Sequence, residues 1–272
     1  MRDFRRLGIG RLGIGVLAVL LGVSANQPAA HAETIHFGAV LPLTGPAAVT
    51  GLQQMRGIQF AVDQANAAGG VRGNKIEVLF EDNQAKPKQS VRLFNKLADQ
   101  QVPLIFTGWS GPSLAMAPLA TSRKILLVNA GAQADSLAAA SPYLINTIPS
   151  FGDEVKVISQ YLISENKKRA AILFENDAAG IAGRDDYIKY FPEAGGTILS
   201  QEPTQFGQTD FRPALLKLAD AKPEVMLVSI PAAALQMAQQ YKQLGLNFTI
   251  AGTTFLQDPD LVADPSSGKY FM

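Results

Sequence analysis

Short apolar segments alternate with helix-like segments along this chain, and this alternation restricts its possible folds more than any other feature. The apolar pattern of residues 35–41, for example, precedes a helical pattern carrying Leu52, Met55 and Ile58. Such strand patterns recur about every 25–30 residues, with helical spacing between them. Parallel strands need long connections that cross back over the sheet, usually through a helix. The sequence therefore predicts an α/β fold with doubly wound parallel sheets.

The alternation occurs in two series, which predicts two lobes. A length of 272 residues also suits about two domains. The stretch 134–150, which contains Pro142 and Pro149, is the expected passage between the series, because a strand pattern near 143–148 begins the alternation again. We therefore predict a leader at 1–32, an N-terminal lobe at 33–140 and a second lobe at 141–272.

The N-terminus has the pattern of a secretory signal peptide. Four arginines within residues 2–11 precede the uncharged apolar run 12–23, and Ala30-His31-Ala32 is a small-residue cleavage pattern. The run is too short to span a bilayer, although a membrane anchor is the alternative. Arg5-Arg6 weakly resembles a twin-arginine signal, but the general secretory route is favoured. We expect cleavage after Ala32 and a periplasmic protein.

Composition excludes several kinds of chemistry. The chain has no cysteine, so disulfides and thiolate ligands are excluded. Its net charge of +1 gives no long-range attraction to nucleic acid. Removal of the leader leaves His36 as the one remaining histidine, so a cluster of histidines that binds a metal is not expected. His36 lies inside an apparent strand, where it is poorly placed for a Ser-His-Asp triad. We predict no metal, no cofactor and no enzymatic activity.

The order of strands and loops selects candidate ligand residues. Ligands of open α/β sheets bind beyond the carboxyl ends of the strands, where Trp109 and Ser110 follow one strand and Gly131-Ala132-Gln133 the next. Pro112 is expected at the first helical position, which would leave free amides and the Ser110 hydroxyl for a carboxylate. The alternatives are a capped helix with a core tryptophan and a solvated turn at Gln133. We expect Thr50-Gly51 to cap the first helix, and contact with the ligand is the alternative.

Several motifs together resemble a known family. They are residues 38–46 (GAVLPLTGP), 63–73 (DQANAAGGVRG), 209–215 (TDFRPAL) followed by 223–225 (PEV), and 241–246 (YKQLGL). This pattern, from about residue 34 to 272, is similar to bacterial periplasmic binding proteins of the leucine/isoleucine/valine-binding type. The resemblance implies a type I clamshell of two lobes that captures a small solute for an ABC importer. It also implies that the third crossing between the lobes and the C-terminal elements are missing.

The resemblance also implies roles for individual residues. The serine at the position of Ser110 contacts the ligand carboxylate in the family, and Gln133 stands where amino-acid-binding relatives have Ser or Thr. Ala179 stands where such relatives often have Tyr, and Thr254 lies where they place an acidic residue for the ligand ammonium. Ile230 is expected to form an apolar wall.

The missing charge at position 254 disfavours an α-amino acid, because an unpaired ammonium is costly to desolvate. Asp177 and Asp258 are possible substitutes, although both suit helix caps or solvated loops. The expected solute carries a carboxylate and an apolar body, either a branched-chain or other amino acid or an aromatic or aliphatic acid.

The predicted partners follow from this function. They are the small-molecule ligand and an ABC permease of the inner membrane, with the binding protein itself a monomer and no nucleic acid involved. The alternative is a periplasmic sensor of the same fold that signals to a membrane protein. A hydrolase using Ser110, Glu175 or Asp177 is disfavoured, because the sequence places no base beside Ser110.

Overall fold

Two parallel sheets form the framework of the computed structural model, which describes residues 33–257 and Ala263. The strands are β1 (Thr34–Leu41), β2 (Lys75–Asp82), β3 (Leu104–Thr107), β4 (Leu126–Asn129), β5 (Leu144–Asn146), β6 (Arg169–Glu175), β7 (Thr197–Thr204), β8 (Val225–Ser229) and β9 (Thr249–Gly252). The first sheet has the order β2-β1-β3-β4-β5 and the second β7-β6-β8-β9, with parallel pairing throughout. The predicted leader and Asp258 lie outside the described residues.

Helices cover both faces of each sheet. They are α1 (Ala48–Ala67), α2 (Pro87–Asp99), α3 (Ser110–Arg123), α4 (Phe151–Ser164), α5 (Ala178–Glu193), α6 (Arg212–Asp220) and α7 (Ala234–Gln243). On the first sheet, α1 packs on one face, and α2 and α3 pack on the other. On the second sheet, α4 and α5 cover one face, and α6 and α7 cover the other. Strands buried on both faces explain the continuous apolar runs of the sequence. The predicted α/β class with doubly wound parallel sheets is confirmed.

We call the first sheet with α1–α3 the first lobe and the second sheet with α4–α7 the second lobe. Both lobes belong to one compact unit that begins at Thr34. None of the helices among the described residues is sufficiently long and apolar to cross a membrane.

One strand lies in a different sheet from the one predicted. The pattern near 143–148 was assigned to the second series, but β5 pairs with β4, with Leu144 beside Leu127. That assignment was wrong. Periodicity shows which residues are buried, but it carries no information on which strand is hydrogen-bonded to which. Residues 144–146 therefore extend the first sheet, and the chain crosses to the second sheet after Asn146.

Local capping chemistry explains where several helices begin. Pro87 occupies the first helical position of α2. Ser150 and Asp153 form a reciprocal capping box at α4, and the Asp177 side chain accepts a hydrogen bond from the Gly180 amide (2.8 Å) at α5. At α1 the cap is Ala47, so the prediction that Thr50-Gly51 caps this helix was wrong.

Two fully buried tyrosines of the second lobe should respond oppositely to loss of their hydroxyl groups. The Tyr241 hydroxyl donates to the Phe248 carbonyl, whereas the Tyr187 hydroxyl has no hydrogen-bond partner among the described residues. Tyr187→Phe should raise the free energy of unfolding by about 1–3 kcal/mol, because it removes an unpaired buried polar group. Tyr241→Phe should lower it by about 1 kcal/mol. Urea denaturation of the two variants measures both changes, and equal losses would contradict this assignment.

Candidate ligand-binding site

The carboxyl ends of the two sheets lie against each other. Trp109, which follows β3 of the first sheet, donates from Nε1 to Asp177 Oδ2, which follows β6 of the second (3.0 Å). The Trp109 ring is also 6.1 Å from that of Phe206 and 6.4 Å from that of Phe255, measured between ring centroids. Both phenylalanines belong to the second lobe. Trp109, only 3% exposed, is therefore a buried contact between the lobes.

Ser110 begins α3 at the same edge. Its side chain is buried, and its Oγ accepts a weak hydrogen bond from the Ala134 amide (3.4 Å). Pro112 is the third helical residue, so the prediction that it occupies the first position was wrong. The Ser113 amide donates to the Trp109 carbonyl (2.9 Å), which leaves the Ser110 and Gly111 amides without helical partners.

The loop after β4 is held by a residue that the sequence analysis missed. Asn129 Oδ1 accepts hydrogen bonds from the Gly131 and Ala132 amides at 3.1 and 2.7 Å. Both amides are therefore engaged within the protein, although the sequence predicted this loop as a ligand contact. Asn129 ends a buried strand, and nothing in its local pattern distinguishes a loop-holding amide from a turn residue.

The side chains of Gln133 and Thr254, predicted on opposite walls, meet at one carboxylate. Gln133 Nε2 donates to Glu154 Oε1 (2.5 Å) and to the Pro149 carbonyl (3.2 Å). The Thr254 amide donates to Glu154 Oε2 (2.8 Å), and Thr254 Oγ1 donates to Glu154 Oε1 (3.1 Å). Glu154 could not be predicted from the sequence, because an acidic residue in a first helical turn usually interacts only with the helix dipole.

Two other predicted residues lie apart from these contacts. Ile230 packs in the second-lobe core with Met237 and Tyr241. Ala179 is buried in the first turn of α5, and this helix approaches α3 through Ala178. Their assignment to the site remains a prediction.

A cavity of about 380 Å³ lies between α1 and the loop after β8. Its lining includes Pro46, Val49, Thr50, Gln53, Pro231, Ala232, Leu235, Gln236, Gln239, Thr254 and Phe255. Of the eight predicted ligand residues, only Thr254 lines it. Its three α-helical glutamines, Gln53, Gln236 and Gln239, could not be predicted, because exposed polar residues on amphipathic helices carry no distinguishing pattern.

A buried carboxyl group lies behind this edge of the second sheet. Glu175 ends β6 and is 1% exposed. Burial raises its pKa to about 8, with a further contribution from Asp177, while hydrogen bonds from the Gly207 and Ala232 amides act in the opposite direction. Its Oε2 has no hydrogen-bond partner among the described residues. Glu175 is therefore mostly protonated at neutral pH.

Within residues 33–257, no group of three or more His, Asp or Glu side chains is arranged to hold a metal ion. The site consists of aromatic rings, hydroxyl groups, amides and three carboxyl groups, those of Glu154, Glu175 and Asp177. Groups of these kinds are suited to holding a small molecule through hydrogen bonds and apolar contact.

Comparison with known proteins decides the family. Residues 34–268 match the family described as periplasmic binding protein. The chain belongs to this family. Leu/Ile/Val-binding protein BraC3 of Rhizobium johnstonii is 30% identical over 265 residues, which cover 93% of this chain and 71% of BraC3.

Two solved structures share the fold of this periplasmic binding protein. A solute-binding protein of an ABC transporter from Rhodopseudomonas palustris BisB5, in complex with 3,4-dihydroxybenzoic acid, is 28% identical with a TM-score of 0.79. The branched-chain amino acid transporter substrate-binding protein LivJ from Streptococcus pneumoniae, in complex with isoleucine, is 25% identical with a TM-score of 0.75. The matches cover 85% and 83% of this chain, and 65% and 67% of those chains. The chain thus spans about two thirds of their length.

Proposed function

We propose that this protein captures a small carboxylate-bearing solute with an apolar body between its lobes, for delivery to an ABC permease. The observation that carries the proposal is the Trp109–Asp177 hydrogen bond, because it brings together the strand ends at which α/β sheets bind ligands. The ligands of the two solved relatives, isoleucine and 3,4-dihydroxybenzoic acid, both combine a carboxylate with an apolar body. Family membership supports a periplasmic location, and we expect a monomer without enzymatic activity.

The start of α3 is the proposed carboxylate site. The Ser110 hydroxyl and the Ser110 and Gly111 amides lie together at a helix N-terminus, where the helix dipole also favours an anion. Trp109, Phe206 and Phe255 supply the adjacent apolar surface. Movement of the lobes apart would open this region to the solute, and closure would exclude water from it.

Ser110→Ala should lower ligand affinity about 10–100-fold, because a hydrogen bond to a charged group contributes about 1.5–3 kcal/mol. Isothermal titration with isoleucine and with 3,4-dihydroxybenzoate measures the effect. Ser122→Ala is the matched control, since Ser122 is an exposed serine of the same helix. Unchanged affinity in Ser110→Ala would refute the carboxylate site. If the unaltered protein bound no member of a panel of amino acids and aromatic or aliphatic acids, the proposed function itself would fail.

A further inference from the structure

Glu175 connects two loops of the second lobe. Its buried carboxyl group accepts hydrogen bonds from the amide of Gly207, in the loop 205–208 after β7, and from the amide of Ala232, in the loop 230–233 after β8. Both loops lie at the carboxyl ends of their strands, the edge at which the two sheets approach each other. One carboxyl group therefore holds together two loops that are distant in sequence.

Both loops face the first lobe. The Phe206 ring lies 6.1 Å from the Trp109 ring, measured between centroids, and a Cβ built at Gly207 would lie 2.8 Å from Pro46 Cγ. Ala232 and Pro46 line the same cavity. Separation of the lobes would therefore remove the first-lobe atoms that cover these loops, and would allow water to approach the carboxyl group behind them.

The surroundings of Glu175 favour an uncharged carboxyl group while the lobes are together. Its side chain is 1% exposed, and its Oε2 has no hydrogen-bond partner among the described residues. The loops 205–208 and 230–233 and the first-lobe loop 42–47 contain no titratable side chain. The charged group that acts on the carboxyl is Asp177, at the start of α5. Burial, and then the negative charge of Asp177, raise the pKa of Glu175 to about 8.

The adjoining strands and helix supply no compensating charge to this group. Thr204 of β7 lies beside Glu175, and Ser229 of β8 lies beside the preceding Phe174, and neither is charged. Arg184 of α5 lies over the Phe174 ring, with 4.8 Å between its guanidinium carbon and the ring centroid. Because successive side chains of a strand point to opposite faces of the sheet, this cation is on the other face of β6.

We propose that capture of the solute is coupled to uptake of a proton by Glu175, because closure of the lobes buries this carboxyl group and their separation hydrates it. This inference rests on the proposed function and adds control by pH. Since desolvation opposes ionisation, the pKa of Glu175 is higher in the closed form than in the open form. Between those two pKa values closure binds a proton, so rising pH opposes closure and lowers ligand affinity until it levels off above the closed-form pKa.

Glutamine separates the proton from the two hydrogen bonds. Its side-chain oxygen would accept from the same two amides, so holding the loops together does not require a group that titrates. Glu175→Gln should therefore keep the loops connected and bind ligand with an affinity that does not change with pH. Glu165→Gln, at the exposed C-terminal end of α4, is the matched control and should keep the pH dependence.

Isothermal titration with isoleucine and with benzoate measures the coupling, because neither compound changes its charge appreciably between pH 6.5 and 8.5. Titration at pH 7.5 in buffers of different ionisation enthalpy gives the number of protons bound together with the ligand. For the unaltered protein we expect uptake of about half a proton or more, and an affinity at pH 6.5 about fivefold or more above that at pH 8.5. Glu175→Gln should show neither effect.

The outcomes separate this inference from the proposed function. Ligand binding without proton uptake, or uptake that persists in Glu175→Gln, would overturn the coupling and leave solute capture intact. If no amino acid and no aromatic or aliphatic acid binds, the proposed function fails, and small-angle X-ray scattering of the unliganded chain tests the coupling of Glu175 to lobe closure. The radius of gyration should increase from pH 6.5 to 8.5 in the unaltered protein and stay constant in Glu175→Gln. Equal radii at both pH values in the unaltered protein would overturn the inference. Circular dichroism of each variant confirms that it is folded.

Discussion

Glu175→Gln should remove a loss of stability that the unaltered protein undergoes between pH 4.5 and about 8. The pKa of Glu175 rises from near 4.5 to about 8 on folding, chiefly through burial and then through Asp177. Within this window the native chain holds a proton that the unfolded chain has released. Rising pH therefore favours unfolding, and the free energy of unfolding falls by about 1.4 kcal/mol per pH unit before levelling off above the native pKa.

Glutamine has no proton to lose and still accepts hydrogen bonds from the Gly207 and Ala232 amides. The variant should therefore match the unaltered protein near pH 4.5 and exceed its stability by several kcal/mol above pH 8. Urea denaturation across this range measures the difference between the two proteins, which isolates Glu175 from other groups that titrate there. Glu165→Gln controls for loss of an exposed carboxylate. A difference that stays constant with pH would contradict the prediction.

Gly180→Ala should destabilise the protein by about 3 kcal/mol or more, at the upper end of the cost of overpacking. A Cβ at Gly180 would lie 2.2 Å from the Glu175 carbonyl oxygen and 2.7 Å from the Glu175 nitrogen. These are backbone atoms of β6, so the first turn of α5 has to move away from the strand. Such a shift also displaces Asp177, the acceptor of the Trp109 hydrogen bond, and should therefore weaken ligand binding.

Gly57→Ala is the matched control within a helix. Nothing lies within 4 Å of a Cβ built at the exposed Gly57 of α1, so alanine should stabilise the protein by about 1 kcal/mol through helix propensity. Thermal and urea denaturation should therefore show a lower free energy of unfolding for Gly180→Ala and a higher one for Gly57→Ala. Destabilisation by Gly57→Ala, or tolerance of Gly180→Ala, would show that local packing differs from that described.

Periodicity predicted the helices and strands well because it reflects local burial. The apolar spacing in α1 and the apolar run of β6 depend only on which face of each element meets a core. Strand pairing is a long-range property, which explains why the pattern near β5 was assigned to the wrong lobe. Sheet membership depends on which edge a strand reaches, and a single sequence contains no direct signal of that contact.

The position of the candidate site within the fold was partly predictable from the order of strands and loops. The rule that ligands bind beyond strand ends selected Trp109, Ser110 and Gln133, and the structure places all three at the facing edges of the sheets. Asp177 was considered as a substitute for the missing charge at position 254 or as a helix cap or loop residue. It caps α5 and also accepts the Trp109 hydrogen bond. Glu154 was missed because its hydrogen bonds come from two loops that are distant in sequence.

The position of Trp109 makes the protein its own optical probe. It is the sole tryptophan of the chain, so all indole emission originates at the boundary between the lobes. Separation of the lobes would break its hydrogen bond to Asp177 and hydrate the ring, and the emission should shift to longer wavelength. Domain movement in this protein can therefore be followed by intrinsic fluorescence, without attaching a dye at the cleft.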